Sequence, residues 1–397
     1  MKKIIKFQLI FLFIFLMLTI LFCSGYSGEV SDTWEKTYGG SERDVALSIV
    51  QTDDGGYAVC GFTRSKGNGN SDAWIIKLNE AGEIIWDRLF GRSLNDVANT
   101  IIQTKDGGYA VSGYTVFISM GEADLYILKL DEEGNKVWDK IFYGNNWDCA
   151  YNLIQTTNEE YLISGYTWSK GSGKSDAWLM KLNNAGNMIW NKTFGGSEND
   201  EAHSSIQTGE GDFVIAGKTQ SKGEGKWDVW IIKLDEQGNI KWDKTFGGSD
   251  DDCAYAIIET NDDGYLFSGY TKSKGAGKED VWVVKLDSEG NMLWDKTFGG
   301  LHEDIAKSMV QVENGNYVIA GETQSIGAGK WDAWIIKIDE LGNSKWVKTI
   351  GGNSWDSISS IIQTKDENYL IAGWTMSRGA GEADLWVINL GKEGDVK

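Results

Sequence analysis

A tryptophan returns every 52 residues along this chain, at Trp34, Trp86, Trp138, Trp190, Trp242, Trp294 and Trp346, with no insertion or deletion between copies. A fixed period of this length marks a chain that builds one small unit and stacks copies of it, because a single unit cannot bury its own apolar face. The 41% hydrophobic and 12% aromatic content is enough for such a stacked core. The 50 glycines and absence of proline mean that the turns rest on Gly, Asn and Asp chemistry.

The unit that begins at Trp242 shows what is being repeated. Four runs in it have strand length and β-branched or aromatic content: 253–260, Tyr265–Thr271, 281–286 and Met292–Phe298. Asn261-Asp-Asp-Gly264 separates the first two and Asp287-Ser-Glu-Gly-Asn291 the last two, both tight-turn signals. No apolar i, i+3, i+4, i+7 series survives the glycines, so helix is not expected. The fold class expected is all-β: a seven-bladed β-propeller with four antiparallel strands, a to d from the inside out, in each blade.

The ends suggest how the ring closes. After residues 1–28 the chain opens with a lone fourth-type strand at 33–38, while the last unit runs out after its third strand, 385–390. Letting the N-terminal strand complete the last blade removes the open edge. The propeller is therefore assigned to residues 29–397. In such a meander the tight a–b and c–d turns share one face. The longer d–a loops (Gly-Gly-Ser-x-x-Asp) and b–c loops (Ser-x-Gly-x-Gly-x-x-Asp) share the other, where binding residues are expected.

Stretches such as Gly107-Gly-Tyr-Ala-Val-Ser-Gly-Tyr-Thr115 and Asp72-Ala-Trp-Ile-Ile-Lys-Leu78 resemble those of secreted and cell-surface bacterial and archaeal β-propeller repeat proteins. The resemblance covers residues 33–397. It implies architecture and an extracytoplasmic setting, and carries over no functional residue.

Residues 1–28 read as a leader. Lys2, Lys3 and Lys6 precede an apolar run from Leu9 to Phe22, too short for a membrane span and suited to a signal sequence. Cys23 stands where a lipidated cysteine would, but Phe22 replaces the small residue usual before it. Lipid anchoring, simple cleavage and an uncleaved anchor all stay open, and all place the repeats outside the cytoplasm. Membrane contact is expected only through this leader or a lipid. The net charge of −20 excludes nucleic acid as a natural partner.

Two aspartates recur in every unit. One series (Asp44, Asp96, Asp148, Asp200, Asp252, Asp304, Asp356) opens strand a; the other (Asp72, Asp124, Asp176, Asp228, Asp280, Asp332, Asp384) precedes strand c. One or two carboxylates per blade fall short of the six to eight oxygens Ca²⁺ takes, so loop bracing is expected and no metal or other cofactor is assigned. The periodic Trp and the strand-c aromatics (Trp74, Tyr126, Trp178, Trp230, Trp282, Trp334, Trp386) are read as blade-interface packing. The strand-b glycines (Gly61, Gly113, Gly165, Gly217, Gly269, Gly321, Gly373) are expected to lie beneath an aromatic of the next blade. Cys60, Cys149 and Cys253 are expected to be buried free thiols.

Catalytic signatures are weak. Gly171-Ser-Gly-Lys-Ser175 lacks the upstream glycine and following helix of a phosphate loop. His203 and His302, the two histidines, hold different repeat positions, so no Ser-His-Asp set or zinc site suggests itself and no catalytic residue is assigned. Function should then sit where the repeat breaks. Trp147, Trp168, Trp227, Trp331, Trp355 and Trp374 are tryptophans outside the periodic columns, all on the long-loop face, and Val116–Gly121 replaces one b–c loop. Aromatics among acids and amides suit a carbohydrate or protein ligand. The expectation is a binding propeller at the cell surface. A polysaccharide hydrolase or lyase using axial carboxylates and a purely structural surface protein are the alternatives.

Overall fold

The computed structural model describes residues 33–92, 94–116 and 122–395. The leader, Cys23 and residues 117–121 lie outside them. The described chain forms seven sheets of four antiparallel strands, each in the order a-b-c-d. They are here called blade 1 (44–90), blade 2 (96–142), blade 3 (148–194), blade 4 (200–246), blade 5 (252–298), blade 6 (304–350) and blade 7 (356–390 with 34–38). A single 3-10 turn, Glu313–Gly315, is the only helix among the described residues.

The ring closes as the sequence implies. The N-terminal strand β1 (Trp34–Tyr38) pairs antiparallel with the Asp384–Leu390 strand, from Trp34 opposite Asn389 to Tyr38 opposite Leu385. The closure is tied by side chains as well. The Trp386 indole N–H donates to Glu35 at 2.8 Å, and the Tyr38 hydroxyl reaches across to the Gly82 carbonyl of blade 1 at 2.6 Å.

Strand character follows burial. The a strands of neighbouring blades pack on one another at the centre. Strands b and c are buried almost throughout, and the d strands face outward. Each core cluster joins two adjacent blades. One unites Trp74, Ile76 and Leu78 of blade 1 with Leu370, Leu385 and Val387 of blade 7. The strand-c tryptophans are the largest side chains in these interfaces, and each buries on the order of 150–250 Å². The periodic Trp lies further out. Trp34 packs on Gly82 in the c–d turn of the next blade and tilts against Tyr57, with ring centroids 6.1 Å apart.

The strand-b glycines have a different cause from the one expected. A Cβ on Gly61 would meet no aromatic first; it would lie 1.9 Å from the Val45 carbonyl oxygen on strand a of the same blade. Every blade repeats that clash beside a bulge in strand a, at Ala46/Ser48 in blade 1. The extra residue of the bulge turns the carbonyl towards strand b, and only hydrogen fits there. Cys60, Cys149 and Cys253 are buried and free.

Candidate functional site at the axial mouth

The long-loop face is held by the two aspartate series. Asp44 accepts hydrogen bonds from the Thr63 hydroxyl, from Ser65 Oγ at 2.6 Å and from the Gly40 N–H at 2.8 Å. Asp200, Asp304 and Asp356 repeat that set. The strand-c series wraps the b–c loops. Asp280 takes the N–H groups of Ala276 and Gly277, both at 3.0 Å, and Asp384 those of Ala380 and Gly381 at 2.9 and 3.1 Å. The two series meet across each blade junction. A Cβ on Gly195 would lie 2.4 Å from Asp200 Oδ2 and 2.6 Å from Asp176 Oδ1. Burial first, and the facing carboxylate as well, pushes the Asp72, Asp176, Asp228, Asp280 and Asp332 carboxyls above their usual range.

Blade 3 departs from this pattern. Tyr143 replaces the glycine between the carboxylates, and Ser169 Oγ donates to the Asn146 carbonyl at 3.3 Å, where its equivalents donate to the strand-a aspartate. Asp148 Oδ2 is left buried without a hydrogen-bond partner among the described residues.

Residue identity is also lost in two strand columns near the axis. At the strand-a bulge the seven blades present Leu47, Asn99, Tyr151, His203, Tyr255, Lys307 and Ser359, while the aspartate three residues earlier never changes. On strand b the residue after the invariant glycine is Phe62, Tyr114, Tyr166, Lys218, Tyr270, Glu322 or Trp374, half-buried in every blade. These columns line the central opening towards the long-loop face.

Blades 3 to 5 supply one wall. The His203 imidazole stacks on Tyr151 (centroids 4.7 Å, 15°) and meets Tyr255 edge-on (5.0 Å, 80°). Its Nε2 lies 3.2 Å from Glu201 Oε2, within ion-pair distance but outside good hydrogen-bond alignment. Lys218 stands 3.4 Å from the same carboxylate, with its ammonium 4.2 Å from the Trp227 ring centroid. Burial pushes the His203 pKa down, and Glu201 only partly offsets it. Burial acts on Glu201 in the opposite sense, but His203 and Lys218 outweigh it and hold the carboxyl below its usual range. On the far wall Lys307 pairs with Glu322 at 2.8 Å and donates to Ser357 Oγ at 3.0 Å.

The six aperiodic tryptophans are spread around this mouth and do not form one patch. Trp147 and Trp168 sit side by side on blade 3, joined by a 2.9 Å backbone hydrogen bond, each 47% exposed. Trp147 also tilts against Tyr114 at 6.4 Å. Trp331 and Trp355 form a parallel backbone bridge between blades 6 and 7, and Trp355 is 41% exposed. Trp227 belongs to the Lys218 group. Trp374 lies half-buried under Arg43, whose guanidinium carbon is 5.3 Å from its ring centroid.

Sequence reading selected the tryptophans that break the period and passed over the columns of His203, Tyr166 and their equivalents. Aligning the seven units and asking where identity collapses inside an otherwise constant strand finds them. Among the described residues no group of three or more His, Cys, Asp or Glu is placed to hold a metal ion.

No family model matches the chain. The regulatory protein FlaEY of Caulobacter vibrioides is 22% identical over 245 residues, which is 53% of this chain and 25% of that protein. Among solved structures, a puromycin hydrolase S511A mutant complexed with PGG is similar with a TM-score of 0.56 at 13% identity, over 90% of this chain and 53% of that one. BBS1N in complex with ARL6DN gives a TM-score of 0.52 at 9% identity, over 92% and 97% of the two chains. At these identities the likeness is one of fold. The chain spans a quarter of FlaEY and about half of the hydrolase.

Proposed function

We propose that this protein is an extracytoplasmic recognition module that binds a carbohydrate or protein ligand at the axial mouth of its long-loop face, secreted or held at the cell surface through its leader. One observation carries the reading: the framework residues repeat seven times, and the residues lining the mouth do not. Constant residues answer to blade packing, and varied ones at a rim supported by rigid strands answer to something outside the chain. The half-buried tyrosines and exposed tryptophans supply flat apolar faces with polar edges, the chemistry of hot spots and of sugar stacking. BBS1N, of similar fold, is in complex with ARL6, which makes a protein ligand a natural arm of the test.

The test is a glycan array and a surface-protein capture with the full chain, each read for binding and for turnover. Saturable binding that drops at least tenfold in Trp147→Ala and in Tyr114→Ala supports recognition at the mouth. Binding indifferent to every mouth substitution would place recognition elsewhere and refute the reading. Turnover of a bound glycan would replace it with an enzymatic one.

A further inference from the structure

The chain uses 33 lysines but only five arginines, Arg43, Arg64, Arg88, Arg92 and Arg378. The lysines occur in every blade, whereas the arginines fall in blades 7 and 1 and the loops flanking blade 1. Arg378 pairs with Glu35 at the ring closure, and Arg88 donates to the carbonyls of Asp87 and Glu133 at the outer edge. Arg43 lies over the Trp374 ring but, like Arg64, has no acidic or carbonyl partner among the described residues.

These two stand next to each other on the long-loop face. The Arg64 N–H donates to the Arg43 carbonyl at 3.0 Å. The equivalent neighbours in other blades provide an internal comparison. In blade 4 they are Asn199 and Gln220, whose amides hydrogen-bond at 2.7 Å. In blade 5 they are Asp251 and Lys272, an ion pair at 3.3 Å. Blade 3 has the two exposed tryptophans, Trp147 and Trp168. Blade 1 alone sets two like charges side by side.

Among the described residues neither guanidinium makes an ion pair, and Arg43 Nε is buried without a hydrogen-bond partner. Burial, then the Arg64 charge, lowers the proton affinity of Arg43. Glu382 acts in the opposite direction without coming within ion-pair distance. In a chain of net charge −20, an acid in contact with this pair would have been easy to supply. Like charges placed together cost free energy, and a buried N–H without an acceptor costs more.

We propose that Arg43 and Arg64 form a subsite for the carboxylate of an acidic sugar. A planar guanidinium matches a carboxylate in bidentate fashion, which lysine cannot do. On strand b of the neighbouring blade 2, Tyr114 has its ring 6.4 Å from that of the half-exposed Trp147. Blade 2 thus offers a flat face on the blade next to the positive pair, and a pyranose ring with an exocyclic carboxylate presents the same two features. The net charge of the molecule disfavours polyanions, so the ligand presents isolated carboxylates. This inference rests on recognition at the axial mouth and names the class of ligand.

Five arginines make the test direct. The full chain labelled with ¹⁵N-arginine gives five Nε–H signals, and R43Q and R64Q assign the two of interest. Galacturonic acid is the probe and its methyl ester the control. The expected result is that the Arg43 and Arg64 signals move together and saturate with the acid. The ester leaves them in place, and either substitution weakens binding by roughly tenfold or more. The R64Q melting temperature should equal or exceed that of the unsubstituted chain, because the repulsion is gone. All five signals moving alike, or the ester matching the acid, would overturn the subsite. An acidic tetrapeptide that saturates the same signals at tenfold lower concentration than the sugar acid would overturn the sugar assignment. Silent arginines alongside Trp147-dependent glycan binding would sink this inference and leave recognition at the mouth standing.

Discussion

Replacing Gly165, buried in strand b of blade 3, by alanine should cost this protein far more than the same change at Gly209, exposed in the a–b turn of blade 4. The Gly165 Cβ would sit 1.9 Å from the Cys149 carbonyl oxygen and 2.9 Å from Ala150 Cα, where real Cβ atoms essentially never come closer than 3.0 Å. The obstacle is backbone, so no rotamer change relieves it. Strands a and b of blade 3 must separate by about 1 Å at Gly165, which stands opposite Ala150 where the strand-a bulge begins. Overpacking a tight core costs about 1–3 kcal/mol when side chains can adjust, and here they cannot. A loss of at least about 3 kcal/mol follows. Gly209 has nothing within 4 Å of its Cβ and no positive φ, so alanine there is expected to stabilise by about 0.4–1 kcal/mol through the unfolded chain. Urea midpoints of the two variants, measured beside the parent, should therefore move in opposite directions. Gly165→Ala within about 0.5 kcal/mol of the parent, the ordinary range for harmless changes, would show that the bulge is soft and would refute the steric argument for all seven glycines.

Four further outcomes can be measured. Deleting residues 33–38 removes the whole strand that completes blade 7, together with the Tyr38 bond to Gly82. Thermal melts should show severe destabilisation, and an unchanged melting temperature would exclude the closure as a stabilising element. Glu35→Ala, a milder cut, leaves the Trp386 indole N–H buried without its acceptor and should cost about 1–3 kcal/mol. Asp54, Asp106 and Asp262 each pair with a buried strand-c lysine at 2.6–2.9 Å. Burial raises each carboxyl, but its hydrogen bonds and its lysine outweigh that and leave the pKa below the usual value. Their contribution is thus present above about pH 4 and is lost as pH falls through the lower folded value, so the triple Asp→Asn variant should show a flatter acid limb in melts from pH 5 to 2.5. His203 titrates with the same sign but in a higher window. Its depressed pKa means that the folded chain binds fewer protons, so stability falls as pH drops below about 6.5, and His203→Phe, which keeps an aromatic ring on Tyr151, should remove that slope.

The architecture was legible because one physical constraint was written seven times. Trp34 and its equivalents mark the same contact on Gly82 and its equivalents in every blade, so spacing alone revealed the unit and the number of copies. The lone strand at 33–38 revealed the closure. The strand-b glycine was seen but its reason was not, because a bulge on the partner strand has no composition of its own. The same bulge hid the mouth. It interrupts the two-residue alternation at Leu47, Tyr151 and His203, so strand periodicity could not tell which side chains face the axis. The tryptophans that break the period drew attention to the loops at Trp147 and Trp355, whereas Glu201, His203 and Lys218 belong to three columns that stand out only when the seven units are compared position by position.

The joining of β1 to the last blade also fixes an order of events. Within blades 1 to 6 every strand pairs with one nearby in sequence, so their hairpins can begin to form and stack as soon as neighbouring units are available. Glu35 and Trp386 are 351 residues apart, and their bond must await all the rest. Loop-closure entropy makes so distant a contact slow to form relative to local hairpins. The earliest strand in the chain is therefore the last to find its place. Until it does, Leu385 and Val387 present an unpaired edge, the stage at which association between unfinished copies is most favoured.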